Sequence, residues 1–125
     1  MKTGDYVRTK ITGRCNNVYI AKIDELLGNG IILIDKDVFD CYGDTRCTLL
    51  EEDVDKSDSN IIKVIKKNDI LIDYTGEIYK VVKIFNDYVF TDKKNKYGQT
   101  ITLVDYQIKK VIPEDEFNFI GYEVK

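Results

Sequence analysis

The sequence has no histidine and no tryptophan, and its 125 residues include one proline and three cysteines. Without histidine, the commonest general base and the commonest metal ligand of proteins are both missing. A single proline excludes proline-rich recognition segments. The cofactor domain of most nucleotide-binding α/β enzymes would fill a chain of this length by itself. We therefore predict a protein that is not an enzyme and carries no cofactor.

The cysteines Cys15, Cys41 and Cys47 are odd in number and too few for a secreted disulfide framework. Zinc sites usually hold two cysteines in a close pair, whereas Cys41 and Cys47 lie six residues apart. A calcium loop beginning at Asp53 is disfavoured because its twelfth position is Val64, which cannot ligate. We expect three reduced thiols and no metal.

Long apolar segments are also missing. The longest apolar run, Ile31–Ile34, is far shorter than the ~20 residues of a membrane span, and Met1–Asp5 lacks the apolar character of a signal peptide. The net charge of −3 argues against a protein dedicated to wrapping duplex nucleic acid. We predict a cytoplasmic protein without membrane contact, and the oligomeric state stays open.

The sequence does contain many short segments rich in β-branched and aromatic residues. Ile78–Phe85, Tyr88–Thr91 and Ile101–Val104 are each shorter than ten residues and are bounded by turn residues. The pair Asn86-Asp87 between the first two predicts a two-residue hairpin loop. No stretch keeps a helical period over three turns, although Asp24–Gly28 is a candidate for one helical turn closed by glycine. This pattern predicts an all-β protein.

The chain also repeats itself, because five blocks of the first half return in the same order in the second. The matched blocks are Gly4–Arg8 with Asn68–Ile72, Tyr19–Ile23 with Tyr79–Ile84, Ile34–Asp37 with Thr91–Lys94, Tyr42–Leu49 with Tyr97–Leu103, and Ile62–Ile65 with Lys109–Ile112. The spacing falls from 64 residues at the first block to 47 at the last, so the second copy has shorter loops. Five ordered matches predict an internal duplication, with one domain at 1–66 and another at 67–125.

Each copy has five short predicted strands, and the first opens with Gly4-Asp5 before Tyr6-Val7. This arrangement, with a longer first loop and tight later hairpins, resembles the small SH3-like barrels, including their KOW and Tudor-type variants. The resemblance covers 2–65 and 67–112. It implies two tandem five-stranded SH3-like barrels used for binding. Neither copy has the ALYDY-like stretch of signalling SH3 domains, so PxxP recognition is not implied. A ~55-residue barrel is marginal alone, and we expect the copies to pack together.

The candidate binding residues combine tyrosines with basic side chains. They are Tyr42, Arg46, Tyr88, Lys93, Lys94, Lys96 and Tyr97. Lysine beside an aromatic ring is what a single-stranded nucleic acid or a nucleotide needs, and the competing reading is an ordinary solvated loop. Tyr42 and Tyr97 each precede a glycine. Each of these tyrosine side chains either offers a contact to a partner or folds back onto its barrel, and we favour the second interpretation.

We therefore predict a non-catalytic binding protein that acts through protein–protein contacts. Abundant Lys, Ile, Asn, Asp and Tyr, which have AT-rich codons, are typical of low-GC Gram-positive bacteria and their phages. The chain resembles small phage or mobile-element accessory proteins in size and composition, which implies an inhibitor of a host protein such as a defence nuclease. The alternative is a KOW-like nucleic-acid or nucleotide binder that uses the Lys/Tyr loop of the second copy. A third reading, a small hydrolase acting through carboxylates, has no identifiable residue pair.

Overall fold

The computed structural model describes residues 1–12, 18, 20–35, 46–114 and 122–123. Within these ranges it contains β-strands, turns and short 3-10 segments but no α-helix, which confirms the all-β prediction. The first unit consists of β1 (Tyr6–Thr9), β2 (Ile20–Gly28), β3 (Ile31–Asp35), β4 (Arg46–Leu50) and β5 (Val54–Asp58). The second consists of β6 (Ile70–Asp73), β7 (Ile78–Ile84), β8 (Tyr88–Lys94), β9 (Thr100–Val104) and β10 (Ile108–Ile112), followed by β11 (Tyr122–Glu123).

The two units have the same topology. The first sheet has the order β4-β3-β2-β1-β5, and the second has the order β9-β8-β7-β6-β10, with β11 added beyond β10. All neighbouring strands are antiparallel. In each unit one 3-10 turn, Glu51–Asp53 or Asp105–Gln107, connects the fourth strand to the fifth. The chain is therefore a tandem of two barrel-like units.

The strand registers show which residues of the two units are equivalent. Val7 lies opposite Ser57 and Leu71 lies opposite Val111, and in both strand pairs the register then shifts at a bulge. A bulge also interrupts β2 against β3 and β7 against β8 at the equivalent place. Bulges bend a strand and increase its twist. Their shared positions support the predicted duplication.

The turn before the first strand is also the same in both units. Gly4 and Asn68 adopt positive φ angles of 90° and 76°, and their N–H groups donate to the neighbouring strand at 2.9 and 2.8 Å. The carboxylates of Asp5 and Asp69 each accept the N–H three residues earlier, at 3.1 and 2.8 Å. Because asparagine tolerates the left-handed region better than most residues, Asn68 can stand where the first copy has glycine.

Two of the five predicted block matches are wrong in detail. Tyr79 occupies the register position of Ala21, not that of Tyr19. The segment Ile61–Val64 is a 3-10 turn, and the fifth strand of the first unit is the more polar β5. The apolar pattern misled the alignment because Ile61, Ile62 and Val64 are buried between the units rather than in a sheet. The spacing of the last block is therefore 54 residues, and the domain boundary at 66 and 67 stays a prediction.

The predicted helical turn at Asp24–Gly28 is also wrong, since these residues extend β2. Asn29 and Gly30, which follow, have φ angles of 54° and 74°. This pair of positive φ values forms a tight turn whose twist matches the flanking strands. The hairpin therefore continues the sheet where the closing glycine had suggested one helical turn.

The larger hydrophobic core joins the two units, as expected. Tyr6 and Ile20 of the first unit and Ile61, Ile62 and Ile65 of the connection pack with the interior of the second unit. The core residues that the second unit contributes are Leu71, Tyr79, Val81, Val89, Leu103, Ile108 and Val111. A smaller core built around Val7 and Ile34 lies within the first sheet. The second unit thus completes its core with residues of the first.

A buried ion pair also links the units. The Arg8 guanidinium donates to both carboxylate oxygens of Asp69, at 2.6 and 3.0 Å, and also to the carbonyl of Val64 at 3.1 Å. Both side chains are almost completely buried. Asp69 further accepts the backbone N–H groups of Lys66 and Glu114. A two-point contact of this kind fixes orientation as well as distance.

In the part of the chain that the structure describes, no helix has the length and apolar character needed to cross a membrane.

Candidate functional site

An open groove of about 280 Å³ lies where the two units meet. Its lining residues are Tyr6, Ser59, Asn60, Ile61, Tyr74, Asp105 and Tyr106. Tyr6 comes from β1, the next three from the connection between the units, and the last three from the second unit. We call this surface the tyrosine groove.

Tyr74 is placed by the turn that joins β6 to β7. The Asp73 carboxylate accepts the N–H groups of Thr75 and Glu77 at 2.9 and 3.0 Å and the Thr75 hydroxyl at 2.6 Å. These bonds, with that of the Thr75 hydroxyl foremost, lower the pKa of Asp73. Gly76 completes the turn with a φ of 87°. Because the turn is held by its neighbours, Tyr74 is not needed inside it and is 62% exposed.

Asp105 and Tyr106 are placed by the 3-10 turn between β9 and β10. The Val104 N–H donates to the Gln107 side-chain oxygen at 3.0 Å, and the Tyr106 N–H donates to Asp105 Oδ1 at 2.8 Å. The Ile108 N–H closes the turn on the Asp105 carbonyl. Tyr106 projects from it with 79% of its surface exposed.

Tyr6 forms the buried side of the groove. Burial raises the pKa of Tyr6, and the nearby Asp105 carboxylate and Tyr74 raise it further. The Tyr6 hydroxyl is neutral at neutral pH, as an ordinary phenol is, and the raised pKa extends its neutral range upwards. Lys22 Nζ lies 5.3 Å from the centre of the Tyr6 ring, although Lys22 is not among the groove's lining side chains. Among the described residues, those that line the groove combine three phenol rings with one carboxylate and include no basic side chain.

The predicted residues of the first copy are only partly described. Tyr42 lies outside the described residues, as do Cys15 and Cys41. Arg46 and Cys47 lie on β4, and for these two residues the structure gives the backbone pairing alone. The predicted roles of Tyr42 and Arg46 and the predicted free thiols stay predictions.

In the second copy, Tyr97 does not fold back onto its barrel. The Asn95 side chain accepts the N–H groups of Tyr97 and Gln99 at 2.9 and 3.0 Å, and Gly98 has a φ of 76°. The loop therefore stabilises itself, and Tyr97 is 75% exposed with Lys96 Nζ 5.1 Å from its ring centre. The interpretation that we favoured for this tyrosine is wrong.

The predicted Lys/Tyr loop separates into two places. Lys93 Nζ lies 3.0 Å from Glu77 Oε1 and 5.3 Å from the ring centre of Tyr79, so it contacts the β6–β7 turn. Lys94 is exposed near Lys96 and Tyr97 at the end of β8. Tyr88 lies at the other end of this strand, where it packs with Phe85 and Phe90. The structure therefore does not bring Tyr88 to the loop.

Sequence reasoning missed Tyr74 and Tyr106, the two exposed tyrosines of the groove. A signal was available in the repeat. The equivalent positions of the first unit, one after its first strand and one in its 3-10 turn, hold Lys10 and Glu52. Because the first unit forms the same turns without tyrosine, the backbone does not require tyrosine at these two positions of the second unit.

Within the described ranges, no group of three or more Cys, Asp or Glu side chains could hold a metal ion. Comparison with known proteins found no matching family model, no matching curated protein and no matching solved structure. The fold and the groove by themselves therefore define the class to which this protein belongs: a tandem repeat of small β-barrel-like units with an aromatic groove at their junction.

Proposed function

We propose that the chain is a non-catalytic binding protein that docks a protein partner in the tyrosine groove. The observation that carries this proposal is the exposure of Tyr74 and Tyr106, at 62% and 79%. Tyrosine combines a large apolar ring with a hydrogen-bonding hydroxyl, and it is enriched at protein interfaces. Two such rings beside a concave surface offer a partner a ready contact at a small cost in side-chain ordering.

The charge of the groove favours a basic partner segment. Of the lining residues that the structure describes, Asp105 alone is charged, and the three ring faces attract cations. The Tyr6 ring already has the Lys22 ammonium group 5.3 Å from its centre. We propose that the partner supplies an extended segment with a lysine or arginine between Tyr74 and Tyr106. Its positive charge would then be close to the Asp105 carboxylate.

The chemistry of the lining supports binding rather than catalysis. A general acid–base or covalent mechanism needs a base or nucleophile tuned to its task. The groove offers one carboxylate beside phenols, and the pKa of Tyr6 is raised rather than lowered. A raised pKa makes this hydroxyl a poorer nucleophile and leaves it suited to hydrogen bonding.

We also propose that both units are SH3-like barrels. The strand order and the 3-10 turn before the fifth strand agree with the resemblance that the sequence suggested. The narrower prediction of a phage-encoded inhibitor of a host defence protein stays a prediction, because the groove specifies a docking chemistry rather than a host protein.

The proposal is tested with peptides of defined charge. Fluorescence anisotropy would measure binding of labelled extended peptides that differ only in carrying lysine, arginine, glutamate or alanine at the central position. We expect the basic peptides to bind, with a loss of about tenfold or more in Tyr106→Ala, since a central interface aromatic contributes ~2 kcal/mol or more. Glu52→Ala, the same position in the first unit, is the matched control. Basic peptides that bind both variants alike, or that do not bind at all, would contradict the proposal.

A further inference from the structure

A second aromatic surface lies on the outer face of the second sheet, on the far side of β7, β8 and β9 from the core. Phe85, Tyr88 and Phe90 pack there as a ring cluster, and each ring is half-buried. The centres of Phe85 and Tyr88 are 4.8 Å apart with nearly parallel planes, and those of Phe85 and Phe90 are 4.7 Å apart. The face is opposite to the core because Val89 and Thr91, which alternate with these rings along β8, are buried.

The first unit shows what this position needs for folding alone. Tyr88 lies opposite Val104, and its register equivalent Ile31 lies opposite Leu50. By the same correspondence the equivalent of Phe90 is Leu33. Aliphatic side chains therefore cover the same face of the same fold in the first unit. Rings at these positions in the second unit are not a requirement of the sheet.

The charge beside these positions also changes sign between the units. Phe90 lies opposite Lys83, whereas Leu33 lies opposite Glu25. Lys83 Nζ lies 5.1 Å from the centre of the Phe85 ring, and Lys63 Nζ reaches the Asn86 side chain at 3.0 Å. Residues 60–112 contain ten lysines and six acidic residues, while residues 1–58 contain twelve acidic and eight basic ones. The rings are thus found in the basic part of an acidic chain.

A second exposed lysine lies on the same face further along β8. Lys94 pairs with Thr100 and Phe90 pairs with Thr102, with a register shift between the two pairs. The two threonines are two residues apart on β9 and both are exposed, so they point to the outer side. Directly opposite residues of antiparallel strands share a face. The outer face therefore leads from the ring cluster towards Lys94, with the exposed Tyr97 and Lys96 in the loop beyond.

We infer that this outer face binds single-stranded nucleic acid. Bases would stack on the free surfaces of the ring cluster, and the phosphates would lie near Lys83 and Lys94. Base–aromatic stacking with a basic track for the backbone is how proteins hold single strands without reading their sequence. A duplex keeps its base faces stacked inside, so these rings have nothing to contact in it. This site is separate from the tyrosine groove and does not depend on it.

The test is fluorescence anisotropy with a labelled oligothymidylate, measured over a range of salt concentrations. Two variants carry the first unit's own residues: the double variant Tyr88→Ile with Phe90→Leu, and Lys83→Glu. We expect each to weaken oligothymidylate binding about tenfold or more, because stacked bases and phosphate contacts both contribute at this level. Affinity of the unchanged protein should fall steeply as salt rises. Glu52→Ala, in the 3-10 turn of the first unit and outside both proposed sites, is the control, and it should bind the oligonucleotide normally.

Thermal unfolding followed by circular dichroism would show that each variant is folded, and Glu25→Lys in the first unit would control for a general effect of charge. The inference is overturned if the unchanged protein does not bind the single strand at low salt. It is equally overturned if a duplex of the same length binds as tightly, or if folded variants keep full affinity. A ring-cluster surface that instead binds a protein, with no affinity for oligothymidylate, would also overturn it.

Discussion

The two units share a backbone but differ in what they place on it. Strand order, two of the bulges, and the hydrogen bonds of the opening turn and of the 3-10 turn are common to both. On these shared features the two units carry different side chains, as where Glu25 and Glu52 of the first unit correspond to Lys83 and Tyr106 of the second. Backbone hydrogen bonds depend little on side-chain identity, whereas a binding surface consists of side chains. The comparison therefore separates what folding needs from what binding uses.

The largest expected effect concerns the ion pair, in which Asp69 differs from its equivalent Asp5. Both carboxylates hold the opening turn, and Asp69 also accepts two hydrogen bonds from the buried Arg8 guanidinium. Asp69→Ala should lower the free energy of unfolding by about 3–5 kcal/mol, because it leaves a buried guanidinium without its counter-charge. Asp5→Ala should cost about 1–3 kcal/mol. Urea denaturation measures both.

A double variant sharpens this result. Arg8→Met with Asp69→Asn removes both charges and keeps a side-chain oxygen for the turn. Buried ion pairs replaced together by groups of similar size often lose little stability, so the double variant should be more stable than Asp69→Ala alone. Equal losses of unfolding free energy in Asp5→Ala and Asp69→Ala would contradict the prediction that Asp69 contributes more to stability than Asp5.

The next effect concerns the connection between the two units, which contributes buried side chains to the joint core. Ile62 is fully buried and packs in the joint core, although it lies in a 3-10 turn. Ile62→Ala should cost about 2–5 kcal/mol of unfolding free energy through lost burial and the cavity that remains. Lys63→Ala, one residue along and exposed, should cost less than ~1 kcal/mol. A small effect at Ile62 would mean that the units fold independently of their connection.

A third comparison uses the turns after the first strand of each unit. Hydrogen bonds from Thr75, Tyr79 and Glu77 lower the pKa of Asp73, with that of Thr75 the largest cause; the equivalent residue of the first unit is Thr9, which does not titrate. A carboxylate with a lowered pKa in the folded state stabilises the fold above its unfolded pKa, and this contribution is lost as pH falls through the folded value. Asp73→Asn should therefore reduce the dependence of unfolding free energy on pH below about pH 4. Urea denaturation at neutral and acid pH measures this dependence, with Asp87→Asn as the control. The same acid dependence in Asp73→Asn and in the unchanged protein would contradict the prediction.

The smallest expected effect separates tyrosines that bind from tyrosines that fold. Tyr74→Ala and Tyr106→Ala should each change the unfolding free energy by less than ~0.5 kcal/mol, since both side chains are exposed. Tyr79, which is buried and donates to Asp73 at 2.9 Å, should lose about 3–5 kcal/mol on conversion to alanine. Burial and this bond also raise the pKa of Tyr79 to about 12. A large loss at Tyr106 would assign it a structural role instead of a binding one.

Local sequence patterns were sufficient for the elements but not for their exact register. The predicted two-residue loop Asn86-Asp87 is confirmed, since the Phe85 N–H bonds the Tyr88 carbonyl at 2.9 Å. The polar strand β5 and the true end of β2 were missed. β5 was missed because an edge strand that is only half-buried shows little apolar alternation. The end of β2 was missed because two adjacent apolar residues in a hairpin fit the period of a helix as well as that of a strand.

The sequence by itself determined that this protein is all-β, that it is built from two copies, and where most of its turns lie. These features rest on alternation, turn residues and internal similarity, which are local or can be compared along the chain. Only the tertiary structure decided that Arg8 meets Asp69, that Ile62 belongs to a joint core, and that Tyr6, Tyr74 and Tyr106 line one groove. These contacts join residues that are tens of positions apart. Their burial and exposure arise from how the two units pack, and no single segment records that packing.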